Sequence, residues 1–172
     1  MRKNQIVYWL IPAEPEGQLF RALIRILAKQ CDGPRFKPHL TIFATPQDRQ
    51  SPAKILRRLK AKPIRLKVSG VSYSEQFTKT LYVQFGSNKE FEKLAVDLGR
   101  VAGLRIKAPA HPHLSLLYKD IPAAAKKQLA STLKLPIREV VFDTIKAVRC
   151  AAPTQTRGDV ESWRVLAKKR LK

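Results

Sequence analysis

Two short stretches of this chain could do acid–base chemistry, and they are nearly the same stretch. Pro38-His39-Leu40-Thr41-Ile42 recurs 74 positions later as Pro112-His113-Leu114-Ser115-Leu116. The chain has three histidines, and two of them hold equivalent places in this repeat. Histidine titrates near neutrality, so one neutral imidazole can take a proton from water while a second, protonated, gives one to a departing oxygen. In an extended strand, residues i and i+2 point to one face. Each histidine therefore shares its face with a hydroxyl, Thr41 or Ser115, while Leu40, Ile42, Leu114 and Leu116 point to the other, apolar face. Two imidazoles and two hydroxyls lining one cleft suit phosphate-ester cleavage, with the hydroxyls donating to nonbridging oxygens as charge develops there. The expected roles are His113 as base toward water and His39 as acid toward the leaving oxygen, interchangeable by the symmetry of the repeat.

The neighbouring residues narrow the chemistry. His111 lies two residues before His113 but has no counterpart in the first half, which places it at the rim or in support of His113. No acidic or cysteine cluster accompanies these histidines, so neither a metal nor a cofactor is expected. Ser115 lacks the G-x-S-x-G turn of a serine nucleophile.

These strings need a scaffold that sets two remote strands face to face. Ile6 to Ile11 reads as a strand, and Leu19, Phe20, Leu23, Ile26 and Leu27 follow at helical spacing. A strand is expected over Phe36 to Phe43, and Ser51-Pro52 opens a helix with Ile55, Leu56 and Leu59 on its buried side. Ile64, Leu66 and Val68 alternate with charged residues, Gly70 marks a bulge, and Leu81, Val83 and Phe85 form the partner strand. Ser87 and Glu90 have capping-box spacing before a helix that runs to Gly103. His113 to Tyr118 reads as a strand, followed by a helix from Asp120 and Pro122 to about Lys134. Val140 to Phe142, Ile145 to Ala151 and Trp163 to Ala167 are closing strands, with Gln155 to Asp159 as a polar loop. The order is mixed α+β with antiparallel pairings, in a single domain over residues 1–172.

Lys and Arg total 34 against 13 Asp and Glu, a formal charge of +21. Such a surface attracts phosphorylated ligands and makes RNA a candidate partner. Lys126-Lys127 and the tail Lys168-Lys169-Arg170 are expected to be solvated. The apolar run Ile6 to Ile11, closed by Pro12, is far short of the ~20 residues that span a bilayer. A cytoplasmic protein without a membrane span is expected. Cys31 and Cys150 form no C-x-x-C pair and are read as free, mostly buried thiols.

The two H-x-[ST]-x strings resemble the signature of the two-histidine (2H) phosphoesterases, and the chain resembles their plant-type cyclic phosphodiesterase branch. The narrower likeness is carried by Gly33-Pro34-Arg35-Phe36-Lys37-Pro38-His39, by Pro112-His113-Leu114-Ser115-Leu116-Leu117-Tyr118, and by the stretch from Cys150 that ends in Glu161-Ser162-Trp163. Trp9 and Pro12 match that family's opening strand. The resemblance implies a bilobal α+β fold, two antiparallel sheets with outer helices related by a pseudo-twofold axis, and an active-site groove between the lobes. It also implies a small cyclic-phosphate substrate: ADP-ribose 1″,2″-cyclic phosphate, which arises from tRNA splicing, or nucleoside 2′,3′-cyclic phosphates. Tyr118 and Trp9 become pocket-wall, substrate-binding residues. The chain departs from the plant pattern in its high charge and over Tyr73 to Phe85. Two rival readings are favoured by the charge: an RNA-end-processing relative of the 2′-5′ RNA ligase or RNA 2′,3′-cyclic phosphodiesterase type, and a noncatalytic RNA-binding module.

Overall fold

The computed structural model describes residues 3–46 and 50–172. The elements are β1 (Lys3–Pro12), α1 (Glu16–Gln30), β2 (Leu40–Pro46), α2 (Pro52–Arg58), β3 (Ile64–Tyr73), β4 (Leu81–Phe85), α3 (Lys89–Val101), β5 (His113–Leu117), α4 (Ala123–Thr132), β6 (Glu139–Ala152), α5 (Arg157–Glu161) and β7 (Arg164–Arg170). All strand pairings among them are antiparallel, as expected.

Two groups of strands, β2-β1-β6-β7 and β5-β4-β3, correspond to the two halves of the repeat. They meet at two seams. One is the pair Leu40–Leu114 between β2 and β5, and the other sets Ile64–Lys67 of β3 against Glu139–Phe142 of β6. The two sheets are thereby hydrogen-bonded into one seven-stranded sheet, and the β1–β6 ladder closes six of its strands into a circuit. Continuity comes from the length of β6: its 14 residues serve β1 along one edge and β3, then β7, along the other. The expected strands Val140 to Phe142 and Ile145 to Ala151 are thus one strand. A register shift opposite Ile11 and Pro12 accounts for the break in its apolar pattern.

Strand alternation sorts the residues onto two faces. Tyr8, Leu10, Leu40, Leu114 and Leu116 are fully buried in the main core with Ile42, against Phe20, Ile24 and Leu27 of α1 and Phe91, Leu94 and Leu98 of α3. Ile24 replaces Ile26 in the expected α1 stripe, because Phe20, Ile24 and Leu27 follow the i, i+4, i+7 track and Ile26 is exposed. Val7, Trp9, Val148 and Cys150 form a smaller cluster on the opposite face, joined by Ile11 and Trp163.

Other departures are local. The strand expected from Phe36 begins at Leu40; residues 33–39 form a loop without regular secondary structure. Helix α3 is capped by Asn88, whose side-chain oxygen accepts from the Phe91 N–H at 2.9 Å, in place of Ser87. The polar loop Gln155 to Asp159 contains the start of α5, where Thr156 and Asp159 form a capping box. Lys126 is buried, and its ammonium pairs with the Glu75 carboxylate at 3.0 Å. Gly70 sits at a register shift with φ +154°, and Gly103 ends α3 with φ +72°.

Candidate active site

The seam between β2 and β5 builds the site. Leu40 lies opposite Leu114, and extending that antiparallel register by one residue each way sets His39 beside Ser115 and Thr41 beside His113. The four side chains leave the sheet on the face away from the main core, because Leu40 and Leu114 between them enter it. The next strands outward repeat the pattern: Trp9 of β1 faces Thr41, and Tyr82 of β4 faces Ser115. Tyr82 is therefore the pseudo-symmetric counterpart of Trp9.

Both imidazoles are held by the same backbone device. His39 Nδ1–H donates to the Lys37 carbonyl at 2.7 Å, and His113 Nδ1–H donates to the His111 carbonyl at 3.2 Å. A carbonyl can only accept, so this contact fixes the proton on Nδ1 and leaves Nε2 as the working atom of each neutral ring. The intervening Pro38 and Pro112 bias the residue before them toward extended backbone, which turns its carbonyl back toward the ring. His111 supports His113 through its backbone, while its own ring is exposed.

The surroundings of the two rings differ. His39 is 6% exposed. The Trp9 ring stacks on it at 3.7 Å between centroids, and Trp163 meets it edge-on at 5.6 Å. The Tyr118 hydroxyl donates to its Nε2 at 3.3 Å, and Phe36 stacks on Tyr118 at 4.0 Å. His113 is only partly buried, with Tyr82 edge-on at 5.4 Å. Burial pushes the His39 pKa down to about 4, with smaller downward contributions from the charges of His113 and Lys146. Burial also holds His113 below its ordinary value, assisted by the charge of Lys79. Tyr118 is kept protonated by burial.

The hydroxyls are unequal too. Ser115 Oγ donates to the Thr78 carbonyl at 2.7 Å, across from the short 3-10 turn at Phe77–Lys79. Thr41 is partly exposed beside His113. The loop that carries His39 is tied down at Asp32, which has φ +51°. Asp32 accepts from Arg157 at 2.8 Å and from Lys119 at 3.4 Å, so residues at the start of α5 and after β5 brace one strap. Gly33 follows where a Cβ would stand 3.1 Å from the Leu117 side chain, closer than ordinary contact.

With this geometry in place, comparison with known proteins is specific. The sequence profile of the family described as "Cyclic phosphodiesterase-like protein" matches residues 5–171. The chain belongs to the cyclic phosphodiesterase-like family. Membership makes it a phosphodiesterase. It is 24% identical over 173 residues to a cyclic phosphodiesterase of Arabidopsis thaliana, covering 97% of this chain and 95% of that protein. Its fold is that of E. coli LigT in apo form (TM-score 0.57, 14% identity, 100% and 99% of the two chains) and of TT0787 from Thermus thermophilus (TM-score 0.55, 17% identity, 99% and 98%).

For this cyclic phosphodiesterase-like chain, the fold sets His39, Thr41, His113 and Ser115 around one seam, and it sets Trp9 and Tyr118 directly against His39. Sequence reasoning missed Trp163, Phe36 and Tyr82. Trp163 was visible as the end of the family-like Glu161-Ser162-Trp163 stretch, whereas Tyr82 becomes readable only once the β4–β5 register is known. Among the described residues, no three His, Cys, Asp or Glu side chains gather as a metal site, and no helix is long and apolar enough to cross a membrane. Cys31 and Cys150 are free, with Cys150 buried and its thiol pushed up to about 12 by that burial.

Proposed function

We propose that the protein hydrolyses small cyclic phosphate esters to monophosphate esters without a metal, with nucleoside 2′,3′-cyclic phosphates and ADP-ribose 1″,2″-cyclic phosphate as the substrate class. The observation that supports this most is the matched pair of imidazoles, each with Nδ1–H tied to a backbone carbonyl and Nε2 unprotonated. In the reaction, a water oxygen attacks phosphorus as one neutral imidazole takes its proton. The P–O bond to one ribose oxygen then breaks, and the opposite imidazolium gives its proton to that oxygen. The two rings exchange protonation states, and proton exchange with solvent resets them. Thr41 and Ser115 hydrogen-bond the nonbridging oxygens, for which Ser115 must turn its proton from the Thr78 carbonyl.

Burial favours a definite division of roles. The ring that resists protonation more strongly is His39, so it is the base in this reading, and the more exposed His113, the easier of the two to protonate, is the acid. That reverses the labels expected from the repeat alone. Trp9, Phe36, Tyr118 and Trp163 wall the His39 side, and of these the partly exposed Phe36 and Trp163 offer apolar surface to a sugar or base.

The test is turnover of a nucleoside 2′,3′-cyclic phosphate in EDTA by the parent, His39→Ala and His113→Ala. Metal-free hydrolysis lost in both variants supports the reading; hydrolysis that needs a divalent ion, or none on any cyclic phosphate, sinks it. The charge of +21 favours one other substrate, an RNA 3′ end carrying the same cyclic phosphate. Much faster cleavage of an RNA oligomer than of the mononucleotide would identify it.

A further inference from the structure

On the sheet face that carries Trp9, strands β6 and β7 set lysine against lysine. Lys146 lies directly across from Lys168, and on its other side it faces Trp9. Like charges directly opposed on neighbouring strands repel. Lysines on edge strands are commonplace as guards against aggregation. Lys146, however, is on an interior strand and half-buried, which that role does not explain. Burial, then the charges of Lys37 and Lys168, hold its ammonium below the ordinary lysine range.

These lysines line a recess of about 680 Å³. Its two carboxylates are already occupied, Glu14 by Arg21 at 2.5 Å and Asp143 by Arg170 at 3.6 Å. Among the described residues, Lys146 and Lys168 have no ion-pair partner. With neighbouring strands about 4.8 Å apart, Lys146 stands roughly 5 Å and Lys168 roughly 10 Å from the strand of Trp9. Trp9 in turn stacks on His39. Lys37, whose carbonyl holds the His39 ring, brings a third positive charge to the same neighbourhood.

We propose that Lys146 and Lys168, together with Lys37, form a second phosphate subsite on the His39 side of the two-histidine seam, so that the preferred ligand is a nucleotide with a further phosphate group. This rests on the reading that the two-histidine groove takes a phosphate ester. An anion there relieves the Lys146–Lys168 repulsion, so its binding is favoured by the fold as well as by direct contact. The second phosphate can be the terminal 5′-phosphate of a mononucleotide or a backbone phosphate of a short strand.

Calorimetric titration of the full chain at low salt tests it with three ligands: adenosine 3′-phosphate, adenosine 3′,5′-bisphosphate, and the dinucleotide ApA with a 3′-phosphate. Each is measured on the parent and on the Lys146→Gln/Lys168→Gln double variant. The parent should bind at least one doubly phosphorylated ligand about tenfold tighter than adenosine 3′-phosphate, the scale of a charge-assisted hydrogen bond, and the double variant should lose that gain. A gain with the bisphosphate marks a terminal phosphate, and a gain with the dinucleotide alone marks a backbone phosphate. Equal affinities in the parent, no binding of any ligand, or a gain that survives the substitutions overturns the subsite. Binding needs no turnover, so failure of the hydrolytic reading is recognised separately, in the EDTA assay. Relief of repulsion further predicts that the double variant melts no lower than the parent at low salt. A lower Tm with lost binding would make the lysines structural and overturn the proposal as well.

Discussion

The two copies of the Pro-His-Leu-hydroxyl string share a backbone and differ in their surroundings. Around His39, the rings of Trp9, Phe36 and Trp163 and the Tyr118 hydroxyl close off the imidazole. Around His113, Tyr82 is the one ring among the described residues that approaches, edge-on, and the imidazole stays partly open to solvent. Repetition supplies two imidazoles that each carry their proton on Nδ1, and unequal burial then makes them unequal bases. A hydrolysis needs one proton taken and one given, and unequal burial gives those two roles a preferred assignment.

The most severe way to break the comparison is to remove one ring at a time. His39→Ala and His113→Ala should each lower kcat by ~10²–10⁴-fold on a nucleoside cyclic phosphate. The two losses separate when the ester has a 4-nitrophenolate leaving group, which departs without a proton. His113→Ala should then recover most of its rate and His39→Ala should not; the opposite pattern would exchange their roles.

A second difference between the halves should appear in stability. The folded-state pKa of His39, about 4, lies below the ordinary 6.5. Between those pH values the unfolded chain binds a proton that the folded chain refuses, so stability falls as pH drops through this window. The contribution of His39 to that fall is on the order of 3 kcal/mol. Denaturant melts at pH 7 and pH 4 should show a smaller fall for His39→Gln than for the parent. His113→Gln, at the more exposed site, should flatten the pH dependence less. An unchanged slope in His39→Gln would contradict the burial argument.

Smaller effects should come from the tyrosines. Tyr118→Phe removes the hydroxyl 3.3 Å from His39 Nε2, a hydrogen bond worth about 1 kcal/mol, so kcat/KM should change by roughly fivefold. Tyr82→Phe keeps the ring that packs on His113 and should change kcat/KM by less. Steady-state kinetics on the pair would show whether the hydroxyl matters only on the buried side.

How much of this was legible beforehand depends on whether a feature is local. Alternation alone placed Leu40, Ile42, Leu114 and Leu116 in the core and turned His39, Thr41, His113 and Ser115 the other way. The repeat pointed to a shared seam because two copies of one string are best used as a pair. The pairing of Trp9 with Thr41 and Tyr82 with Ser115 depends on strand register, which no short window contains. Phe36 and Trp163 reach His39 from a loop and from the end of α5, so their role follows from tertiary packing. The same holds for Lys126, whose burial against Glu75 is invisible in a basic-looking helix. The acid and base labels depended on that packing most of all, because they follow from how deeply each ring is enclosed.

Histidine pKa values measured one residue at a time address that point most directly. Imidazole ¹⁵N NMR titration of the parent, assigned with His39→Gln and His113→Gln, should show His39 neutral, with its proton on Nδ1, down to about pH 4. His113 should take up its proton at a higher pH than His39 while remaining below 6.5. A His39 that titrates at or above His113 would contradict the claim that enclosure decides which of the two rings holds the proton.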